Sequence, residues 1–407
     1  MTWSTYSHRS LLAVVIGSLI VAACGSSSAP SSAPSSGASA EEQPFTVEQV
    51  PPSVKETVPS GLDAFSSGSS SGLPDPTISF SELRSGGPPP DGIPAIDEPK
   101  FLRASAVDFL GDTEPVLAVE IDGEARAYPV QILMWHEIVN DTIGGVPIAV
   151  TYCPLCNSAV AYDRRVGTRV LTFGTSGLLL NSSLVMYDRQ TETLWSHFTG
   201  EGIIGMLTGV QLEKLSVAMV PWLAWRDAHP DSLVLSRSTG FTRNYGSNPY
   251  PGYDDVNSTP FLFEGKVDGR FTAMTRIIGI NRGDAAVAVP LLQLRDQRVV
   301  PIQIGDEHFV VWWAPGTSSA LDAGNVADGV DVGATGAFIP VVDGQALTFT
   351  ASGDRFVDDQ TGSTWNLLGR ATSGPLAGRQ LEAVVHVDTF WFAWSVFRPD
   401  TVVTAAN

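Results

Sequence analysis

The sequence predicts a mainly β (α+β) fold made of two tandem, internally duplicated, strand-rich units with few short helices. Three observations predict it. Apolar, β-branched runs recur at short spacing with turn residues between them, as in Val146–Tyr152. A regular alternation of strands with long amphipathic helices is missing, which argues against a doubly wound parallel sheet. The chain also matches itself. At one constant offset, Gly205, Leu207, Gly209, Gln211, Leu212 and Glu213 correspond to Gly374, Leu376, Gly378, Gln380, Leu381 and Glu382, and Trp222, Ala224, Trp225, Pro230, Asp231 and Val234 to Trp391, Ala393, Trp394, Pro399, Asp400 and Val403.

Further matches pair Gln190, Thr191 and Trp195 with Gln360, Thr361 and Trp365. A second offset pairs Pro129, Gly144, Pro154 and Ser158 with Pro290, Gly305, Pro315 and Ser319. The units are therefore placed at residues 90–245 and 265–407. In the first, Leu117–Ile121 and Ala125–Tyr128 flank Asp122-Gly123, a dipeptide suited to a two-residue hairpin turn. Val146–Tyr152 reads as a buried strand, and Val160–Arg164, Arg169–Phe173, Leu184–Asp188 and Thr193–Ser196 as further strands. Short helices are expected after Pro129, whose fixed φ suits a first turn, and near Pro221–Ala228. Trp195, Trp225, Pro230 and Asp231 recur in both units and are assigned to packing and turns.

The N-terminus reads as an export address. Residues 1–23 carry Arg9 and then an apolar run, Leu11–Ala23, that ends at Cys24. That run is shorter than the ~20 apolar residues a spanning helix needs. The arrangement resembles a bacterial lipobox and implies acylation of Cys24, with the protein anchored by lipid on the extracytoplasmic face of a membrane in the cell envelope. Residues 24–75, rich in Ser, Ala, Pro and Gly, read as a flexible tether spanning roughly 40 Å. A net charge of −19 argues against nucleic acid as a partner. Three cysteines, one of them given to lipid, exclude a disulfide scaffold.

The remaining pair, Cys153 and Cys156, is the candidate site. Two thiolates three residues apart at a tight turn can bind one metal ion or close a redox disulfide, and the spacing does not choose between them. The repeat isolates what the scaffold does not require. Cys153 falls opposite Ala314, Cys156 opposite Thr317, His136 opposite Gln297 and His197 opposite Leu367, so that the turn is expected to survive without sulfur. The first unit also has six extra residues, Leu178 to Ser183. Cys153, Cys156, His136 and His197 form a candidate soft set that favours Zn or Cu, with Glu137 as a carboxylate orienting a ligating imidazole and Met186 as a core methionine before a thioether ligand. The leading expectation is soft-metal binding or handling. The alternatives are a thiol–disulfide redox protein using the same pair, and a binding or structural protein in which a disulfide staples the turn. Whether the protein is an enzyme is left open.

Trp135-His-Glu-Ile-Val-Asn-Asp141, Thr151-Tyr-Cys-Pro-Leu-Cys156 and Leu184-Val-Met-Tyr-Asp-Arg-Gln190 together resemble the bacterial family catalogued as domain of unknown function 3179, over about residues 90 to 405. Asn157 stands where that family usually has glycine, and both suit a left-handed turn. The resemblance implies the domain assignment and an exported protein. It implies no activity.

Overall fold

The short apolar runs become short strands. In the computed structural model, which describes residues 73–404, four seven-residue helices punctuate a set of small, mostly antiparallel sheets. The signal segment 1–23, Cys24 and nearly all of the tether lie outside the described residues. Among those described, no helix is long and apolar enough to cross a membrane.

Strand order repeats. Pro115–Ile121 and Glu124–Pro129 form a hairpin, with Ala218–Pro221 on one side and Leu233–Leu235 added in parallel on the other. Arg276–Arg282 and Ala285–Pro290 form the matching hairpin, flanked by His386–Phe390 and, in parallel, Val402–Val403. The first hairpin turns at Asp122-Gly123, whose φ values of 50° and 79° match the mirror-image turn that the sequence predicts. Helix α1, Val130–His136, follows Pro129; α2 is Trp222–Ala228, α3 Leu291–Gln297 and α4 Trp391–Phe397. The second sheet of each half joins Ile138–Ile143, Val146–Cys153, Ser158–Asp163 and Lys214–Leu215, or Val299–Ile304, Glu307–Ala314, Ala334–Ile339 and Glu382–Ala383. All described residues belong to one compact unit, and a single apolar cluster runs through both halves, from Val150, Tyr152, Cys153 and Cys156 to Phe390, Trp391 and Phe392.

A third sheet in each half is closed around a buried aspartate. Asp188 accepts from the Thr191 amide (2.6 Å), the Thr191 hydroxyl (2.7 Å) and the Trp195 indole (2.9 Å). Asp358 accepts from Thr361 and Trp365 at 2.6, 3.0 and 2.9 Å in the same order. Trp195 and Trp365 are both fully buried, which gives the recurrent tryptophans the packing role assigned to them.

Two differences between the halves bear on the site. The Phe173–Asp188 hairpin is six residues longer than its counterpart closed by Phe349 and Asp358, as the sequence comparison implies. It extends to a turn at Asn181-Ser182, both left-handed, with φ of 51° and 64°. The other difference is a correction. Cys153 and Ala314 do occupy matching strand ends, but the turn does not survive in the second half. Residues 154–157 connect their two strands directly, whereas residues 315–333 make a long excursion that docks on Thr113 and on the segment joining the halves, through Ser318, Leu321, Asp322 and Gly324. Ser158 therefore matches Ala334 and not Ser319, and Cys156 has no counterpart at Thr317. The long excursion hid this, because the second offset continues past its start by coincidence of Pro315 and Ser319.

Removing the acceptor shared by three donors leaves all three to be solvated or orphaned. Asp188→Ala is expected to lower the free energy of unfolding by about 3 kcal/mol in a urea titration. A loss below about 1 kcal/mol would show that this carboxylate does not support its sheet.

Candidate functional site

Cys153 ends the strand Val146–Cys153 and pairs across the turn with Ser158. The turn closes through the Asn157 N–H, which donates to the Pro154 carbonyl at 3.1 Å. Asn157 has φ of 51°, the left-handed geometry that asparagine tolerates, and its side-chain oxygen accepts from the Tyr152 hydroxyl at 3.0 Å. Both thiols are free and buried, with Cys153 at 1% and Cys156 at 0% exposure. The sulfurs are 3.1 Å apart, beyond the ~2.05 Å of a disulfide but near enough to close one with a small movement.

Three segments distant in sequence cover the pair. The Ser182 carbonyl, delivered by the six-residue hairpin extension, lies 3.6 Å from Cys156 Sγ and 4.0 Å from Cys153 Sγ. The Tyr253 hydroxyl donates to the Leu155 carbonyl at 3.0 Å and accepts from the Phe261 amide at 3.1 Å. The Cys156 carbonyl accepts from the Thr389 hydroxyl at 2.8 Å and from the Phe390 amide at 3.1 Å, both in the second half. Burial pushes the Cys153 thiol well above its ordinary range, followed by its hydrogen bond to Cys156 and the charge there. The amides of Leu184 and Cys156 act in the opposite sense on the same sulfur.

The sequence-predicted residues do not all converge here. His136 ends helix α1, and its ring is fully engaged: Nδ1 lies 2.7 Å from the Pro94 carbonyl and Nε2 2.6 Å from the Tyr245 hydroxyl. His197 is fully buried beside Lys214 and Phe198, its amide donating to the Leu184 carbonyl at 3.1 Å, and neither ring nitrogen has a hydrogen-bond partner among the described residues. Met186 is fully buried in the apolar core. Among the described residues no three of His, Cys, Asp and Glu form a group that could hold a metal ion, so the expected Cys2His2 set is not assembled.

Glu137 is brought close instead. It follows α1 in a left-handed conformation, φ 57°, and its carbonyl accepts from the Tyr152 amide at 2.8 Å, one residue before Cys153. Only 8% exposed, its carboxyl is held well above the usual carboxylate range, first by burial and then by the Cys153 charge. The rest of that sequence motif is structural. Asn140 donates to the Phe173 carbonyl at 2.8 Å and accepts from its amide at 2.9 Å, while Asp141 takes the Tyr128 hydroxyl and the Arg126 guanidinium, each at 2.6 Å. The six extra residues signalled Ser182; nothing in sequence signalled Tyr253 or Thr389, because proximity to the thiols is created only by the packing of the two halves.

His197 offers a test. Burial, then Lys214, pushes its imidazole down to about 3, so it is neutral at neutral pH. The unfolded chain takes up a proton near 6.5 that the folded one refuses, and this residue therefore removes stability as pH falls from about 6.5 toward 3. His197→Leu, the side chain at the matching position 367, is expected to raise stability by about 1 kcal/mol or more at pH 7 and to flatten that acid slope. Destabilisation of the leucine variant would instead show that the ring makes an essential polar contact.

No curated protein and no solved structure matches the chain. A family model does, over residues 90–401, in agreement with the three sequence motifs and with the sheets built from them. The chain belongs to the family described as protein of unknown function DUF3179.

Proposed function

We propose that the protein is an extracytoplasmic dithiol–disulfide redox protein, anchored by a lipid on Cys24, in which Cys153 and Cys156 cycle between dithiol and disulfide. The observation that carries this reading is the pair itself: two free, buried sulfurs 3.1 Å apart at a hydrogen-bonded turn. Of the ligands first expected beside them, His136 is committed to other hydrogen bonds. The N-terminal sequence supports the compartment, where an oxidising environment makes such a couple useful.

The co-reactant is a disulfide. Cys153 thiolate attacks one sulfur of the partner's disulfide, that S–S bond breaks, and the second partner sulfur leaves with the electron pair and takes a proton. Cys156 thiolate then attacks Cys153 sulfur, closing the internal disulfide and releasing the other partner sulfur as a thiol. Two electrons and two protons pass from the dithiol to the partner. Because both sulfurs are buried, the segment carrying Tyr253 and Phe261 has to yield before a partner sulfur can reach them.

The full chain, equilibrated in buffers of defined reduced and oxidised glutathione, is expected to form a reversible Cys153–Cys156 disulfide, read by mass spectrometry as the loss of two hydrogens from the peptide holding both residues. Cys153→Ser is expected to abolish it. Thiols that stay reduced across the whole range would overturn the redox reading. Retention of one zinc or copper ion per reduced chain through dialysis, with no disulfide formed, would overturn it in favour of soft-metal binding by the thiol pair.

A further inference from the structure

We infer that the cleft between α2 and the sheet around Asp358 binds a short peptide, with the peptide's carboxylate on Arg355 and Arg370. The cleft has a volume of about 760 Å³, within the roughly 300–1,000 Å³ usual for ligand sites. None of the residues that cover the thiol pair lines it, and its ligand does not depend on dithiol cycling.

The wall on the second half is a row of hydrogen-bond donors. Phe349–Ser352, Arg355–Asp358, Thr364–Trp365 and Ala371–Ser373 form that sheet in this order. Phe356 pairs with Trp365 and Trp365 with Ala371, so the next row along holds Arg355, Asn366 and Arg370, and all three line the cleft. The Asn366 amide closes the row by donating to the Arg370 carbonyl at 2.9 Å. Residues opposite one another in antiparallel strands share a face. Strands about 4.8 Å apart put the two arginines about 10 Å apart at the backbone, so both long side chains can reach one ligand group. Asn366 Oδ1 accepts from the Leu368 and Arg370 amides at 3.1 and 2.9 Å, which leaves Nδ2 free to donate.

Nothing in the chain neutralises these arginines. Of the arginines among the described residues, only Arg103, Arg355 and Arg370 have a guanidinium with no hydrogen bond, ion pair or ring contact. Two of those three line one cleft. The first half shows that the sheet does not need them. Its matching row holds Val185, Ser196 and Glu201: Val185 pairs with Ser196 across the strands, and Glu201 pairs with Gln211 as Arg370 does with Gln380. The arginines are thus departures from the shared scaffold and are available to a ligand.

The remaining lining decides the kind of ligand. On α2, Leu223 is 40% exposed and stands with Ala224 and Ala228, and Leu367 and Leu368 belong to the other wall, so much of the cleft is apolar. Carboxylates line it as well: Asp227 and Asp112 on the first half, the latter paired with Arg226 at 3.1 Å, and Asp354 next to Arg355. A polyanion is repelled by these acids, and an uncharged ligand leaves both guanidiniums to water. A short peptide carries the complementary set. Its carboxylate suits the planar, two-pronged bonds of arginine, its ammonium suits the aspartates, and its side chains cover the apolar surface between them.

The test is an NMR titration of the full chain with the tripeptide alanyl-leucyl-alanine, its C-terminal amide and its N-acetyl form. The free tripeptide is expected to bind, and each blocked form to bind on the order of ten-fold more weakly. In the double variant Arg355→Gln, Arg370→Gln the free acid is expected to bind no better than the amide, while Arg103→Gln keeps the wild-type affinities. Neither guanidinium touches another group of the chain, so the double variant is expected to unfold at the wild-type temperature. Should it fail to fold, Arg370→Glu, which installs the residue type found at the matching position 201, is expected to cause the same loss. Absence of tripeptide binding at millimolar concentration would overturn the site. Equal affinity of acid and amide in wild type, or a preference for the acid that survives the substitutions, would overturn the role of the arginines. Undiminished binding of the acetylated form would overturn the peptide as ligand.

Discussion

The carbonyl of Cys156 has nowhere in its own half to spend its hydrogen-bonding capacity. A tight turn between two buried strands leaves that oxygen pointing away from both, and a buried backbone acceptor without a donor costs about 1–3 kcal/mol. The second half meets the need twice, with the Thr389 hydroxyl and the Phe390 amide, where the strand His386–Phe390 runs into α4. From this contact much else follows. The turn carrying the thiols lies at the seam between the halves, and the apolar cluster that encloses it is shared by both. Low exposure of the sulfurs is thus a consequence of how the backbone at residue 156 is satisfied, and the high cost of a charge on Cys153 or Glu137 is a consequence of that burial.

The matching strand orders of the two halves give this arrangement an internal control. The Asp–Thr–Trp cluster, the proline that opens the turn into α1 and α3, and the left-handed residue that ends each of those helices recur with nearly the same hydrogen-bond distances, and so belong to the scaffold. Three departures from it meet at the thiols. A long excursion in the second half is a four-residue turn in the first, a hairpin is longer by six residues and brings a carbonyl to both sulfurs, and an arginine bound to the surface of its sheet is exchanged for a buried glutamate.

What could be read from sequence was what is local or repeated. Alternation, turn dipeptides and Pro129 located most strands of the first half and α1, because those signals depend on neighbours in the chain, but the run read as one strand at Arg169–Phe173 is split between a short pair at Arg169–Val170 and the start of Phe173–Leu180. The self-match found the recurrent tryptophans and the hairpin extension. Pairing His136 and His197 with the cysteines failed for a physical reason. A histidine beside a cysteine motif is a candidate ligand on chemistry alone, yet His136 ends a helix on the side facing Pro94 and Tyr245, and His197 lies beyond a separate strand. Glu137 was given a subordinate role because its direction depends on a left-handed cap, which a sequence pattern does not reveal in a residue other than glycine or asparagine.

Burial and reactivity set opposing demands at this site, and the way they are reconciled follows from which contacts are strong. The Cys156 carbonyl and the strand pairing around residues 146–163 are backbone hydrogen bonds within a shared core, and opening them would expose apolar surface from both halves. The cover on the other side is anchored at Gly252 and Tyr253 by backbone hydrogen bonds to Asp322 and Leu321, but around Phe261 it is held by side chains: the Tyr253 hydroxyl between Leu155 and Phe261, and the Ser182 hydroxyl donating to the Phe261 carbonyl, where Phe261 and Leu262 stand partly in solvent. Few side-chain hydrogen bonds on an irregular segment are the contacts that local opening breaks first. On the dithiol reading proposed above, access to the sulfurs is therefore cheaper around Phe261 than through the seam, and a partner disulfide would meet the side of the turn on which the sulfurs and the Ser182 carbonyl lie, while the backbone that positions them stays in place.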